Sequence, residues 1–386
     1  MADHDFKGVD EILVWNKRFL TIGGIWPLES TYIRSSIWIV YLTIHVGMQY
    51  AELYANINNL ELLVNSAVES VFQSMVLAKL VIIRYSTTLQ SLILAVQQDY
   101  GLENYENREE RQIYLKYNKM AKFFYKITIP TISAGSVMYY LVPLENFVRT
   151  MHRNDTNPFV LPFGTRLFFE IKDARTYFMV YAYQSPMMYV LVCHSAWFCL
   201  LTTMVFHVCG QLAIVQYRIR MIKVSLIHEP DNSNAVFRKI AQKHLRSIWM
   251  AKCMDDAFNM VLLQDLAGST LLLGLTSYLV IVRTQTDFLV CCMSVVCSIT
   301  MLCLLYAYCI VGECLIDEST KVHEAYYQCN WYESSLNFRK CLVISMGATQ
   351  QPLHLSAGKA YIFCLNGFTD VLRSAMGYLS LLRNFT

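Results

Sequence analysis

The chain has 386 residues, of which 55% are hydrophobic and 16% charged. Soluble domains carry roughly 25% charged residues, so this chain lacks the charge to cover a water-facing surface, and its 25 Tyr and 20 Phe exclude disorder. A net charge of +3 is too small to point to nucleic acid, which leaves a membrane protein of several spans.

The leader up to Arg34 holds Asp3, Asp5, Asp10, Glu11 and Glu29 and no early apolar core, which argues against a cleaved signal peptide. A bilayer core of about 30 Å needs roughly 20 mostly apolar helical residues. Seven stretches are predicted to meet that need: 37–54, 60–83, 127–147, 177–209, 258–281, 288–311 and 360–382. The first is expected to begin near Thr31, and the fourth to continue past Gln211. The last is the weakest, with Lys359, Asp370 and Arg373 at or inside it. Segments 104–126 and 235–260 mix charge with aromatics and lack Pro and Gly, so they read as helices running into spans three and five. They are either solvated helices beside the membrane or a module that packs against other subunits. The predicted fold is all-α, a polytopic membrane protein with seven transmembrane helices.

The basic residues orient it. Of the 32 Lys and Arg, 22 fall on the side of the N-terminus and seven on the other. The excess marks the cytoplasm, so the N-terminus is expected inside and the C-terminus extracellular, the reverse of a G-protein-coupled receptor. The sequons at Asn154 and Asn384 both fall on the predicted outside, and Asn154 is the glycosylation candidate. The 13 cysteines contain no C-x-x-C and lie mostly in apolar runs, where cysteine behaves as a small hydrophobe.

Catalytic signatures are missing. His323-Glu324 is not continued as H-E-x-x-H, Gly358-Lys359-Ala360 fails as the end of a phosphate loop, and no G-x-S-x-G occurs. His45, His194 and His207 read as hydrogen-bonded packing residues rather than metal ligands. Lys79 and the Gln264-Asp265 pair read as lying near the inner interface. No enzyme activity, metal or cofactor is expected. In span seven, Asn366, Asp370, Arg373, Gly377, Ser380 and Asn384 recur along one side of a helix. That stripe is either the lining of an aqueous pore or a polar seam between helices in which Asp370 pairs with Arg373.

Residues 312–386 resemble the C-terminal region of insect odorant receptors. The resemblance is carried by Glu318-Ser319, Val322, Ala325, Tyr327, Trp331-Tyr332, Arg339-Lys340, Gln350-Gln351-Pro352-Leu353, Leu355-Ser356-Ala357-Gly358-Lys359, Phe368, Tyr378 and Leu381-Leu382-Arg383. Ala348, Gln351 and Gly377 depart from the family's usual residues. Tyr181, Gln184, His207 and Gln211 on span four fit its architecture. The short connection between spans four and five is similar to that of odorant-tuning subunits rather than the co-receptor, and the tail lacks the gustatory-receptor signature.

What the resemblance implies is a subunit of a ligand-gated, non-selective cation channel. It would open a pore with an obligatory co-receptor subunit, as a heterotetramer in the plasma membrane of olfactory sensory neurons. The ligand would be a small, volatile, hydrophobic odorant. Residues 1–313 would form the six-helix region holding the ligand pocket, 314–355 a cytoplasmic anchor, and 356–386 the pore helix. Leu381 and Phe385 would be gate constrictions, and Asn384, Gly377 and Arg373 would face the pore. The pocket would draw on Val68, Phe72 and Met75 of span two, Gly135, Ser136, Tyr139 and Tyr140 of span three, and Tyr181, Gln184 and Met188 of span four. Ordinary helix packing competes with that role at every one of these positions. A metabotropic seven-helix chemoreceptor, a gustatory-type channel and a transporter of small hydrophobic solutes are the rival functions.

Overall fold

The computed structural model describes residues 6, 8–29, 32–153, 159–225, 230–283, 288–329 and 336–383. Asn154, Asn384 and Phe385 lie outside them. The elements in chain order are α1 (Glu11–Ile22), α2 (Tyr32–Ala55), α3 (Leu60–Arg84), α4 (Thr87–Asp99), α5 (Arg108–Arg153), α6 (Ala174–Gln184), α7 (Pro186–Ser225), α8 (Pro230–Arg283), α9 (Phe288–Gln328), α10 (Leu336–Ala348), the two-residue strands β1 (Ser356–Ala357) and β2 (Tyr361–Ile362), and α11 (Leu365–Arg383).

Among the described residues, five segments are long and apolar enough to cross a membrane: Leu60–Arg84, Arg108–Glu145, Ala174–Ile222, Ala235–Val282 and Cys291–Gln328. Helix α2 joins them by packing on α3, and α11 by packing on α8 and α9. The axis of the bundle is α7, whose residues 192–212 are all buried. It is flanked by α5, α8 and α9, and α1 packs on it, with Asn16 donating to Thr203 Oγ1 at 3.1 Å. An element apolar all round must be surrounded by protein, and this one is. All 13 cysteines are unpaired.

The expected cytoplasmic helices and the spans they enter form single helices. Helix α5 passes through Pro130 and Pro143 without ending, and α8 runs 54 residues. Helix α9 likewise runs unbroken across residues 313 and 314. Span four departs from expectation. It is two helices, α6 and α7, because Pro186 has no N–H to offer the preceding turn and instead occupies the first position of a new helix.

The charge at Lys359 is placed differently from its sequence reading. Helix α11 starts only at Leu365, and Lys359 lies in the turn of the β1–β2 hairpin, where Gly358 (φ 58°) and Lys359 (φ 60°) are both left-handed. Two consecutive such residues make the primed turn that closes a tight hairpin. Lys359 Nζ lies 2.5 Å from Asp255 Oδ2 and 2.7 Å from Asp256 Oδ1, and Ser356 donates N–H and hydroxyl to Asp255 Oδ1 at 2.7 Å. Lys359 therefore clamps the hairpin to α8 and lies outside the helix of span seven.

A buried polar cluster gathers at the same end of the bundle, around α4. Asp99 accepts from His207 Nε2 at 3.3 Å and Arg246 Nε at 2.9 Å, while the Tyr114 hydroxyl meets His207 Nδ1 at 2.6 Å and Gln211 donates to the Tyr105 hydroxyl at 3.2 Å. Burial raises the Asp99 carboxyl, but the His207 and Arg246 contacts outweigh it and hold the group below the usual carboxylate range. The cluster ties α4, α5, α7 and α8 together and explains why His207 and Gln211 sit on an otherwise apolar helix.

Candidate ligand-binding site

At the opposite end, segment 159–173 folds back over the mouth of the bundle. Its anchor is Gln184, the last residue of α6 and fully buried. The side chain accepts from Phe163 N–H at 3.2 Å and donates to Phe163 O at 3.0 Å and Thr165 Oγ1 at 3.1 Å, pairing the loop as a strand would. Glu69 of α3 takes the next residue, accepting from Gly164 N–H at 2.7 Å. The same carboxylate accepts from the Tyr139 hydroxyl of α5 at 3.2 Å. Phe163 is thereby held over Tyr139, ring centroids 5.5 Å apart. A half-buried carboxylate is costly unless hydrogen-bonded, and these two donors satisfy it.

The residues expected to line the pocket divide into three groups. Tyr139 lies directly under the Phe163 ring, and Phe72 and Met75 belong to the core further in: Phe72 rests on His194 at 5.1 Å, and Met75 is buried against α8 at Gly268. Met188 is half-buried in the same core. A second group is occupied by structural work. Tyr140 donates to Tyr181 O at 2.6 Å, and Tyr181 returns a hydrogen bond to Tyr140 O. With rings 4.5 Å apart they lock α5 to α6, and Gln184 is spent on the loop. Ser136 bonds its own helix at Ser133 O, 2.9 Å away. The third group looks elsewhere: Val68 packs with Leu275, Tyr278 and Leu279, while Gly135 is exposed with nothing within 4 Å of a Cβ position.

Below Phe72 lies a charged floor that the sequence reading had assigned to the membrane edge. Lys79 Nζ is 2.5 Å from Asp265 Oδ1, with side chains 1% and 3% exposed. Lys79 also meets His194 Nδ1 at 3.2 Å, and the Tyr308 hydroxyl donates to Asp265 Oδ2 at 2.8 Å. The four side chains come from α3, α7, α8 and α9, so one polar knot joins four helices at the centre of the bundle. Opposite charges on two different spans were the available signal, since each is tolerable in apolar surroundings only with the other. Glu69 stands out in the same way as a carboxylate inside span two, but Phe163 and Gly164 leave no comparable trace, because contacts from an irregular loop have no periodicity. His45 also differs from expectation. It sits among the rings of Tyr41, Phe163 and Tyr183, each about 6.0 Å away, and neither ring nitrogen is hydrogen-bonded.

On α11 the two sides separate clearly. Gly367, Val371 and Ala375 are buried, and Phe368 packs on Tyr306 at 5.4 Å. Asn366, Asp370, Arg373, Gly377 and Ser380 are all exposed. Arg373 and Asp370 lie 3.5 Å apart as an exposed i, i+3 pair. Leu381 falls within the last turn of α11.

A family model described as 7tm Odorant receptor matches residues 58–376. Among characterised proteins, odorant receptor 13a of Drosophila melanogaster is 26% identical over 191 residues, 46% of each chain. An odorant receptor coreceptor from Ooceraea biroi is 27% identical over 147 residues, 36% of this chain and 29% of that one. The chain thus spans half or less of the length of these relatives in the matched segments. The structure of olfactory receptor OR5 from Machilis hrabei in complex with eugenol superposes with a TM-score of 0.83 at 14% identity, covering 98% of this chain and 100% of that one. At that identity the likeness establishes the fold.

Proposed function

Because the chain belongs to the odorant receptor family, a family of multi-pass membrane receptors rather than enzymes, we propose that it is an odorant-tuning subunit of a ligand-gated cation channel that pairs with a co-receptor. In this reading the N-terminus and the α4 end face the cytoplasm, and segment 159–173 faces outside. Residues 1–313 hold the pocket, 314–355 the cytoplasmic anchor and 356–386 the pore helix. The matched coreceptor segment and the short α7–α8 connection support the pairing and the tuning role. The exposed polar side of α11 supports a water-filled junction between subunits, with Arg373 and Gly377 on its lining and Leu381, Asn384 and Phe385 at its outer gate.

The observation that carries the ligand assignment is the Phe163 roof held over Tyr139 by Gln184 and Glu69. An aromatic enclosure with a tyrosine hydroxyl and a Met-containing floor suits a small apolar molecule with one or two polar groups, as eugenol is for the Machilis receptor. Phe72, Met75, Tyr139 and Met188 then contact the odorant directly. Tyr140, Tyr181 and Gln184 hold the walls in place, while Val68, Gly135 and Ser136 lie outside the proposed contact surface. The test is odorant-evoked current in cells expressing the chain with a co-receptor, recorded over an odorant panel. Tyr139→Ala and Phe163→Ala should reorder the panel, and the exposed Met138→Ala should not. Unchanged tuning in Tyr139→Ala overturns the pocket.

A further inference from the structure

We propose that the cleft between α1 and α5 binds the head group of an anionic phospholipid. This cleft, about 340 Å³, is lined by Trp15, Arg18 and Phe19 of α1 and by Tyr125, Lys126, Ile129 and Pro130 of α5. The spacing places Trp15, Arg18 and Phe19 on one face of α1, and Lys122, Tyr125, Lys126 and Ile129 on one face of α5. Along α5 the lining changes from cationic to apolar within two turns, and Phe123 and Ile127 beside it are exposed on the side open to lipid. The charge lies at one level and the apolar floor at the next, matching a phosphate above acyl chains.

Two of the three cations at the cleft are uncommitted. Lys122 is held by Glu11 at 2.8 Å and by Gly8 O at 2.7 Å. Arg18 and Lys126 are exposed and have no ion-pair or hydrogen-bond partner among the described residues. Lys122 and Lys126 both lie over the Trp15 ring, at 5.6 and 5.9 Å, which fixes the ring as a platform between them. Tyr125 is 7% exposed, and its hydroxyl makes no hydrogen bond. A buried hydroxyl without an acceptor is costly, and a phosphate or ester oxygen in the cleft supplies one. Trp at the head-group level beside unpaired Lys and Arg is what an inner-leaflet surface calls for. The site rests on the cytoplasmic placement of the N-terminus proposed above, and not on odorant recognition or conduction.

The purified full-length chain in a neutral detergent is titrated with fluorescent phosphatidylserine and with phosphatidylcholine, following binding and melting temperature. Tighter binding of the anionic lipid is expected, at about fivefold for each surface cation engaged, so Arg18→Gln with Lys126→Gln should reduce the preference by roughly 25-fold. Lys172→Gln with Arg175→Gln removes the same charge from exposed positions on the far side and should leave it intact. Equal binding of the two lipids by the unsubstituted chain, or equal loss in both double variants, overturns the site. Stabilisation by inorganic phosphate equal to that by the lipid also overturns it, by showing an ion site. A chain that prefers the anionic lipid but gives no odorant-evoked current keeps this site and discards the receptor reading.

Discussion

Replacing Lys79 by Met keeps most of the side chain's length and removes its charge. Asp265, 3% exposed, then loses the ammonium 2.5 Å away and retains a single donor, the Tyr308 hydroxyl at 2.8 Å. Breaking a buried pair in this way costs about 3–5 kcal/mol, whereas replacing both partners with apolar residues is often neutral or better. His194 loses its Lys79 partner in both the single and the Lys79→Met with Asp265→Leu variant, and Tyr308 loses its acceptor only in the double, each at about 1–3 kcal/mol, so the single should lose about 4–8 kcal/mol and the double about 2–6. The double variant is therefore expected between the single variant and the unsubstituted chain. The assay is heat denaturation of the detergent-solubilised protein read by size-exclusion profile, with surface abundance in cells alongside. A Lys79→Met protein that melts with the unsubstituted chain, or a double variant no more stable than the single, would refute the claim that this pair is a mutually dependent buried ion pair.

Three further outcomes are expected. Gln184→Leu removes three hydrogen bonds to the roof, about 1 kcal/mol each, so amide hydrogen exchange of Phe163 and its neighbours should accelerate roughly 100-fold; protected amides would show that something else holds the loop. Gly268→Ala places a Cβ 2.1 Å from Met75 Sδ, an overpacking that should cost about 1–3 kcal/mol, with stability recovered in the Met75→Ala background; a loss that persists there would show that the clash is not the cause. Asp99→Asn should cost about 1.5–3 kcal/mol at neutral pH, measured by melting. Because the Asp99 carboxyl titrates lower when folded than unfolded, its contribution is complete above the ordinary carboxylate range. It is lost as pH falls through the depressed value, so the melting difference between the two proteins should shrink only in strong acid.

The sequence made the architecture legible because the bilayer imposes it. Apolar runs of span length and the asymmetry of Lys and Arg are one-dimensional signals, and the helices stand where those runs are. The division of span four at Pro186 was not legible in the same way, because the apolar run continues through it. The candidate site was legible only in part. Tyr139, Phe72 and Met75 lie on regular helices whose facing can be counted; Tyr139 meets the Phe163 ring, while Phe72 and Met75 pack on His194 and α8. Tyr140 and Tyr181 share that regularity but spend their hydroxyls on each other's backbone, which no spacing reveals. The roof depends on Phe163 and Gly164 in an irregular segment, placed by hydrogen bonds from residues at least 19 positions away in sequence. Lys79 and Asp265 are visible as anomalies in apolar spans, but the meaning of a buried charge lies in its partner, which spacing along the chain does not show.

The central claim is that odorant binding at this site opens an ion pathway in the chain's own complex. The direct measurement is whole-cell current on odorant application, in cells expressing this chain with a co-receptor and with G-protein signalling blocked. The account predicts a rapid cation current that survives the block and is absent when either subunit is omitted. A response abolished by the block, or odorant binding without current, would contradict it.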